Sequence, residues 1–489
     1  MTASTIFNSL LRPGVFLAET QGGSRTPELA SFATVYMFGS GTTGAFGTPT
    51  LCTSLADFTT KFGASASTTA VQLFFRNDRA GGLHFIRTRI AARSLITIDA
   101  ATAGDLTVVI NGVTVTVTVP DSQTVSQVAS LLITTIACSA LAGVVTALTG
   151  TVAGTLNVFP NDPAVALTVT SADDDVTLSD ATPASLPNST DYIYAIENAF
   201  DYDEEWPQGF VLAPEAFANL SVPTQRQAVG VALENLAANK DFDWFAVVDA
   251  GAGITTVAAL LAEGQLYSTA QGHLGFYGPY VINLEGVAVP VSAGVVGVAT
   301  RRYRQEGFQE PFAGAKFPVQ GVTDVVTRFS NTEQGVLNPE GVNLVRFLRN
   351  KGVVIWGMRT RSANSYYTFA HTRVILNVLN GTLRRAYDFD LFSAIDGQGV
   401  LLSRLKETAD SVCRRLWRGR ALFGSSEEEA FQVICNFENN DAADLENGNV
   451  LIEVYVAPVP ALEKLLIRTV RVPIGQVQSA AAASTSFTG

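Results

Sequence analysis

The chain has 489 residues, which is enough for several domains with a sizeable core. Charged residues make up only 16% of it, which suggests surface buried against partners, and the formal net charge of −12 argues against non-specific nucleic-acid binding. The four cysteines form no CxxC pair. That pattern favours free thiols in a reducing compartment over a disulfide framework or a zinc site.

The first predicted strand covers residues 32–38 and is followed by Gly39-Ser40-Gly41-Thr42-Thr43-Gly44. This spacing matches the glycines of a dinucleotide motif and of a P-loop. A P-loop requires Lys next, whereas Ala45 and Phe46 follow here, and no helix pattern begins at this point. We therefore interpret the motif as a glycine-rich surface turn. A helix is predicted over residues 68–77 and a strand over residues 83–90.

The distribution of charge marks an inserted domain. No Lys or Arg occurs between Arg93 and Arg226, and residues 94–225 hold 15 acidic residues. Strands 106–110 and 113–119 alternate around Asn111-Gly112, the strongest short hairpin signal. A helix over 124–137 and strands over 155–159 and 166–170 complete a β-β-α-β-β unit.

A membrane span is not predicted. Residues 128–150 are uncharged and about long enough, but they are rich in Ser and Thr and have no flanking Lys or Arg. The first residues also lack the pattern of a secretion signal.

The remaining segments alternate strands and helices. The predicted helices are 223–238, a helix from Asn338 to about residue 349, and the two long helices 366–382 and 399–417. Buried or paired strands are predicted at 244–249, 353–356, 430–437 and 449–456. The fold class is therefore α/β (α+β) and multidomain, with an inner α/β core domain built from both chain ends, a β-rich inserted domain and extended terminal arms.

Residue types that could support catalysis or metal binding do not form a recognisable site. The histidines lack metal-ligand spacing, and the acidic clusters at residues 173–175 and 201–205 do not fit a calcium loop. We predict no catalytic, cofactor-binding or metal residue, no cofactor and no enzymatic activity. The competing interpretation is a small-molecule-binding or hydrolytic α/β enzyme with a β-rich insert.

The helix over 399–417 has two distinct faces. One is apolar, and Arg404, Arg415 and Arg418 lie near the opposite side. They form either a solvated face or a cationic strip that docks on an acidic partner. The apolar stripe consists of Leu401, Leu405, Ala409, Val412 and Leu416.

The end of the chain contains a strand without a partner. Pro458 and Pro460 break the strand that ends at residue 456, and a second strand-like run follows over residues 464–472, KLLIRTVRV. No later segment can pair with it. Either another part of the fold covers this strand, or it joins the sheet of a neighbouring molecule.

Five motifs in this order resemble the contractile tail sheath proteins of bacteriophages and of related contractile injection systems. The resemblance covers about residues 10–93 and 191–475 and leaves out the insert. The motifs are Arg12-Pro13-Gly14-Val15-Phe16, SLADFTTKFG at 54–63, Trp356-Gly357-Met358-Arg359-Thr360, the LW…ALFG…AFQV segment at 416–433, and residues 448–461.

The resemblance implies a structural subunit in the tail sheath of a virion, assembled in the cytoplasm of a host bacterium. Copies would form stacked hexameric rings around an inner tube and contract to drive that tube through a cell envelope. The implied partners are further copies of the chain, the inner tube protein, and baseplate and tail terminator proteins, with no nucleic acid. Another virion component, such as a baseplate or capsid protein, is the alternative.

Site residues and domain bounds follow from these expectations. Strand exchange between subunits is predicted for Val15, Phe16, Leu17, Leu465, Leu466, Ile467, Arg468, Val470 and Val472, and tube contact for Arg404, Arg415 and Arg418. The acidic middle would face outward. The predicted domains are an N-terminal arm (1–20), the first part of the core (21–93), the inserted β-rich outer domain (94–190), a middle α/β domain (191–335), a C-terminal core domain (336–462) and a C-terminal strand with a tail (463–489).

Overall fold

A computed structural model describes residues 28–90, 94–150, 152–161, 165–180, 186–200, 206–469 and 471. The predicted helix over 68–77 is confirmed, and both strands predicted before the insert are present, although the second ends at residue 87. The first described segment contains β1 (Thr34–Gly39), β2 (Thr50–Cys52), α1 (Leu55–Phe62), α2 (Thr68–Asn77) and β3 (Leu83–Arg87).

The insert has a hydrophobic core of its own, in which two small sheets pack with one helix. Asn111 and Gly112 have φ angles of 48° and 80°, as a two-residue hairpin turn requires, so the predicted hairpin is confirmed. The first and last strands of the insert pair with each other, which brings its two ends together. Its elements are β4 (Ser94–Ile98), β5 (Gly104–Ile110), β6 (Val113–Val119), α3 (Val125–Cys138), β7 (Val145–Thr149), β8 (Thr155–Pro160), β9 (Val169–Thr170) and β10 (Val176–Asp180).

The middle of the chain alternates helices and strands. Among the described residues, no helix has the length and apolar content needed to cross a bilayer. The elements are α4 (Ser189–Asn198), β11 (Gly209–Leu212), α5 (Pro214–Asn219), α6 (Pro223–Ala238), β12 (Phe245–Asp249), α7 (Val257–Gly264), β13 (Leu274–Gly278), β14 (Val281–Asn283), β15 (Ala288–Val289), α8 (Ser292–Glu306), β16 (Val322–Val325), α9 (Asn331–Leu337), β17 (Val342–Leu348) and β18 (Gly352–Ile355).

The last part of the chain contains the two long helices that the sequence predicts, the first of them shifted towards the C-terminus. Its elements are a 3₁₀ turn (Ser365–Tyr367), α10 (Ala370–Tyr387), α11 (Val400–Arg418), α12 (Glu427–Ala430), β19 (Phe431–Ile434), α13 (Ala442–Glu446) and β20 (Glu453–Val456).

One eight-stranded sheet organises the chain, in the order β18-β17-β13-β12-β11-β1-β3-β2. The six strands from β17 to β3 are parallel, and β12 and β13 are buried along their whole length because both faces of the sheet are covered. The strands of this sheet come from segments that were predicted to form separate domains. The predicted domain bounds remain predictions. Since β3 and β11 flank β1 on opposite sides, the strand order reverses between β1 and β11.

The helix predicted from Asn338 to about residue 349 is wrong. The chain forms the hairpin of β17 and β18 there, with Asn350 and Gly352 at φ angles of 67° and 81° in the turn. β17 also pairs with β13 inside the central sheet, and this tertiary partner outweighs the local helix signal of Pro339. Helix α9 has already ended before Pro339.

Aromatic side chains fill the core on one face of the central sheet. The Trp244 ring stacks on the ring of Tyr36 with centroids 4.2 Å apart and on that of Phe242 at 4.6 Å. Trp244 and Tyr36 are completely buried. This stack ties the start of β12 to β1 across the sheet.

Candidate functional site

The segment after β20 remains attached to the body for several residues. Phe423 N–H donates to the carbonyl of Ala457 at 2.7 Å, and Val459 N–H donates to the carbonyl of Ala421 at 3.1 Å. Residues 457–459 therefore pair with the short segment that follows α11. The prolines in this stretch do not release the chain from the body.

An ion pair holds the base of the C-terminal segment. The Glu463 carboxylate accepts hydrogen bonds from Arg359 Nε at 2.9 Å and Nη2 at 2.6 Å, and from Asn338 Nδ2 at 2.7 Å. The hydrogen bond from Arg359 is the main reason that the pKa of Glu463 is lowered. The W-G-M-R-T motif thus contributes a two-pronged contact that fixes where the C-terminal segment leaves the body.

A buried histidine makes a second attachment. His371 Nε2 lies 2.8 Å from the carbonyl oxygen of Val459, and its ring is completely buried at the start of α10. Burial lowers the pKa of His371, so the neutral imidazole donates its Nε2–H to this carbonyl.

An open groove of about 380 Å³ lies beside these contacts. Trp356, Met358 and Phe369 line one part of it, and Ala461 and Leu462 line another. The C-terminal segment is therefore one wall of a partly apolar groove, and Leu462 on that wall is itself 79% exposed.

Within residues 464–469, the apolar side chains point into solvent. Leu465, Leu466 and Ile467 are 72%, 90% and 76% exposed, and Arg468 is also exposed. The strand predicted over 464–472 is not formed within the described residues 464–469. The other residues predicted for strand exchange lie outside the described residues: Val15, Phe16, Leu17, Val470 and Val472.

The strand β20 has one edge without a partner strand in the described chain, because its sheet contains only β19 and β20 there. Ala457, directly after β20, donates its N–H to the carbonyl of Ala430 on the β19 side at 2.9 Å. Backbone directions alternate along a strand, so the N–H and C=O groups of Val456 and Val454 point to the opposite, open side.

The predicted apolar stripe of α11 is confirmed, since Leu401, Leu405, Ala409, Val412 and Leu416 are all buried.

Arg404, on the other side of α11, already has partners within the chain. Its Nη2 lies 2.7 Å from Asp390 Oδ1 and donates to Ser393 Oγ at 3.2 Å. These contacts hold the loop that connects the two long helices, α10 and α11, against α11.

Arg415 and Arg418 lie together near the end of α11, about three to four turns away from Arg404. Both are exposed and line one shallow groove with Ser411 and Arg414. The Arg414 guanidinium donates to both oxygens of Glu427, each at 2.9 Å. Sequence reasoning missed Arg414, although its four-residue spacing from Arg418 already places the two on one face.

Of the two remaining histidines, His273 is completely buried and His84 is partly buried. Burial, together with the charge of Arg373, lowers the pKa of His273 to about 4, and burial lowers that of His84. Over the described ranges, no group of three or more His, Cys, Asp or Glu side chains could hold a metal ion.

Comparison with known proteins identifies the middle of the chain. Residues 190–361 match the family model of the phage tail sheath protein central domain. This part of the chain is similar to that domain. A curated relative, the tail sheath protein of Escherichia phage P2, is 25% identical over 187 residues, which are 36% of this chain and 43% of the relative. The resemblance that the motifs indicate is thereby confirmed.

Two solved structures share the fold over nearly the whole length. The helical sheath of the anti-feeding prophage in its contracted state has a TM-score of 0.57 at 17% identity, covering 94% of this chain and 99% of that one. The PVC sheath complex of an extracellular contractile injection system, also contracted, has a TM-score of 0.57 at 15% identity, covering 94% and 98%. The mixed α/β fold class is confirmed.

Two of the sheath-like motifs have clear local roles. Trp417 Nε1–H donates to the carbonyl of Gly424 at 3.0 Å and closes the turn after α11. A Cβ on Gly424 would lie 2.8 Å from Ala430 N, so a side chain has no room there. At the start of α1, Ser54 Oγ accepts from Asp57 N–H at 3.1 Å and caps the helix.

Proposed function

We propose that this chain is the structural subunit of a contractile tail sheath. Its copies stack as hexameric rings around an inner tube, and contraction of the stack drives the tube through a cell envelope. The family match of residues 190–361 and the fold shared with two contracted sheaths support a structural rather than a catalytic role. The sheath would belong to a virion or a related injection device, with baseplate and tail terminator proteins at its ends.

The observation that carries this proposal is the exposure of residues 464–469, which begin a C-terminal arm that we define as residues 464–489. Three successive apolar side chains, 72–90% exposed, are an unusual feature for a monomeric surface. The base of the arm is fixed by Glu463 and Val459, so its direction is set before assembly. We infer that the arm is a strand that becomes ordered on a neighbouring copy.

The open edge of β20 is the acceptor that we propose. Val454 and Val456 direct their backbone groups to this side, and a two-stranded sheet on its own is only marginally stable. A third strand would satisfy those groups. The N-terminal arm around Val15, Phe16 and Leu17 would contribute to the same exchange. Main-chain hydrogen bonds at such an edge do not depend on how the domains are rotated. The strand pairing between subunits can therefore persist through contraction.

The tube-facing surface is proposed from charge. Arg415 and Arg418 present a cationic groove for an acidic tube, while Arg404 takes part mainly by holding the loop at Asp390. The acidic insert would face outward.

A truncation after Lys464 tests the exchange, because it keeps Glu463 and its contacts with the body. We expect a folded, monodisperse subunit with the circular dichroism of the full chain and no striated tubes in negative-stain micrographs. The full chain in the same buffer is the control. Normal tubes formed by the truncated chain would refute the exchange.

A charge reversal tests the tube contact separately. Arg415→Glu with Arg418→Glu should abolish co-sedimentation with tubes at low salt, where charge contacts are strongest. The matched control is Arg349→Glu with Lys351→Glu, the same charge change at the exposed turn of the β17–β18 hairpin. Equal co-sedimentation of the two variants would contradict this surface.

A further inference from the structure

A buried carboxylate lies where the strand order of the central sheet reverses. Glu215 is in the first turn of α5, which begins two residues after β11, and it is only 4% exposed. The loop that follows β1 faces it, and this loop carries the glycine motif whose spacing matches phosphate-binding loops. The function proposed above assigns no role to this motif.

The Glu215 carboxylate is surrounded by hydrogen-bond donors. Oε2 accepts from Ser40 N–H and Ser40 Oγ, each at 2.9 Å, and from the Ser67 hydroxyl. Oε1 accepts from Tyr192 Oη at 2.9 Å and more weakly from Asn219 Nδ2 at 3.4 Å. Burial and the neighbouring Glu215 raise the pKa of Tyr192 well above its usual range, so its hydroxyl stays protonated. These donors supply hydrogen bonds to both carboxylate oxygens.

The donors are themselves buried and come from distant parts of the chain. Ser40, Ser67 and Tyr192 are 7%, 1% and 0% exposed. Ser67 immediately precedes α2, and Tyr192 lies on α4, the helix that returns the chain from the insert. The site is therefore built by tertiary structure and is not the product of one flexible loop.

The position of the carboxylate is the one that ligands take in related architectures. In open parallel sheets, ligands bind outside the carboxyl ends of the strands at the point where the order reverses. A glycine-rich loop there directs backbone N–H groups at an anion. Here Ser40 supplies such an N–H. A Cβ on Gly39 would lie 2.0 Å from Ser67 Oγ and 3.1 Å from Glu215 Oε2, so a side chain at this position would displace the Ser67 hydroxyl from the carboxylate.

We propose that this crevice is an oxyanion-binding site whose ligand is the chain's own Glu215 side chain. The site takes a carboxylate held by hydroxyl and amide donors, and it binds free acetate or formate once Glu215 is shortened. This inference is independent of the proposed sheath function. It assigns a role to the glycine motif, which is to bind an internal anion and so to join β1, α2, α4 and α5.

Chemical rescue tests the proposal in the full chain. Glu215→Ala removes one methylene and the carboxylate, the atoms that acetate would restore. Its thermal unfolding midpoint should be below that of the wild type and should rise by about 1.5 °C once acetate reaches ten times its dissociation constant. The wild type should show no such rise. Acetamide, which is neutral and similar in shape, and chloride at equal ionic strength should both leave the midpoint of the variant unchanged.

A second variant separates this site from general anion effects. Glu215→Ala combined with Ser67→Ala and Tyr192→Phe also removes two of the donor hydroxyls, so this variant should bind acetate at least tenfold more weakly than Glu215→Ala alone. If Glu215→Ala is recovered only as insoluble protein, the readout becomes the refolded yield, which acetate should raise at least fivefold over acetamide. Equal midpoints or equal yields in acetate and acetamide, including zero yield in both, would overturn the proposal.

Discussion

The central sheet and the C-terminal arm have strand-like sequences of similar quality but differ in structure. Strand β1 pairs with β11 and β3, and five of its six residues are buried. The described part of the arm belongs to no sheet, and Leu466 is 90% exposed. The difference shows that alternating apolar residues specify a strand only where a partner edge is available. For the arm, we propose that this edge belongs to another copy.

The largest expected effect is the loss of assembly in Val454→Pro. The N–H of Val454 points to the open edge of β20, so proline removes a donor that only an added strand would use. We expect striated tubes to disappear from micrographs. The thermal midpoint of the subunit should stay close to that of the wild type.

Val454→Ala is the matched control for this variant. It shortens the same side chain and keeps the N–H, and we expect it to form tubes. Tubes formed equally well by the proline variant would show that this edge is not the acceptor.

The largest expected effect on folding stability is in the core beside the central sheet. Trp244→Ala removes the ring that stacks on Tyr36 and Phe242 and should lower the free energy of unfolding by about 3–5 kcal/mol. Leu466→Ala in the arm should change it by less than about 0.5 kcal/mol. Urea unfolding of both variants measures the contrast. Similar losses would mean that the arm is packed in the free subunit.

A smaller effect is expected from acidification. The pKa of His273 is lowered to about 4 by burial, from its usual 6.5, so the unfolded chain takes up a proton first as the pH falls. The contribution of this residue is fully present above pH 6.5 and is lost between that pH and about 4. From pH 7 to pH 5 the loss is about 2 kcal/mol. Urea unfolding of His273→Gln should show a shallower pH dependence than the wild type; identical slopes would contradict this.

The smallest expected effect on stability is at the base of the arm. Arg359→Lys replaces the two-pronged contact with Glu463 by a single one and should cost less than about 1 kcal/mol, since the pair is partly exposed. We still expect faster tryptic cleavage at Lys464, because the arm is held less firmly. Arg349→Lys is the control. Unchanged cleavage would show that the ion pair does not anchor the arm.

Local sequence predicted the elements whose signals are short-range. The Asn111-Gly112 turn fixes the hairpin of β5 and β6, and the apolar stripe from Leu401 to Leu416 fixes the buried face of α11. These signals act within a few residues of the chain, so no knowledge of the fold is needed to interpret them.

Signals that depend on distant partners were not predictable. The stretch after Pro339 forms a strand because β13 pairs with it from more than 60 residues away. The contacts of Glu215 with Ser40 and Ser67 span 175 and 148 residues, and no local pattern indicates them. The arm is the extreme case, since we place its partner on a different molecule.

Hydrogen–deuterium exchange of the amides in residues 465–469 and of Val454 and Val456 tests the central claim most directly. In the isolated subunit these amides should exchange at rates close to those of an unstructured chain, since none of them points at a partner strand. In assembled tubes both groups should become protected together, by about 100-fold or more. Fast exchange of the arm in assembled tubes, or protection of the arm without protection of the β20 edge, would contradict the proposed strand exchange.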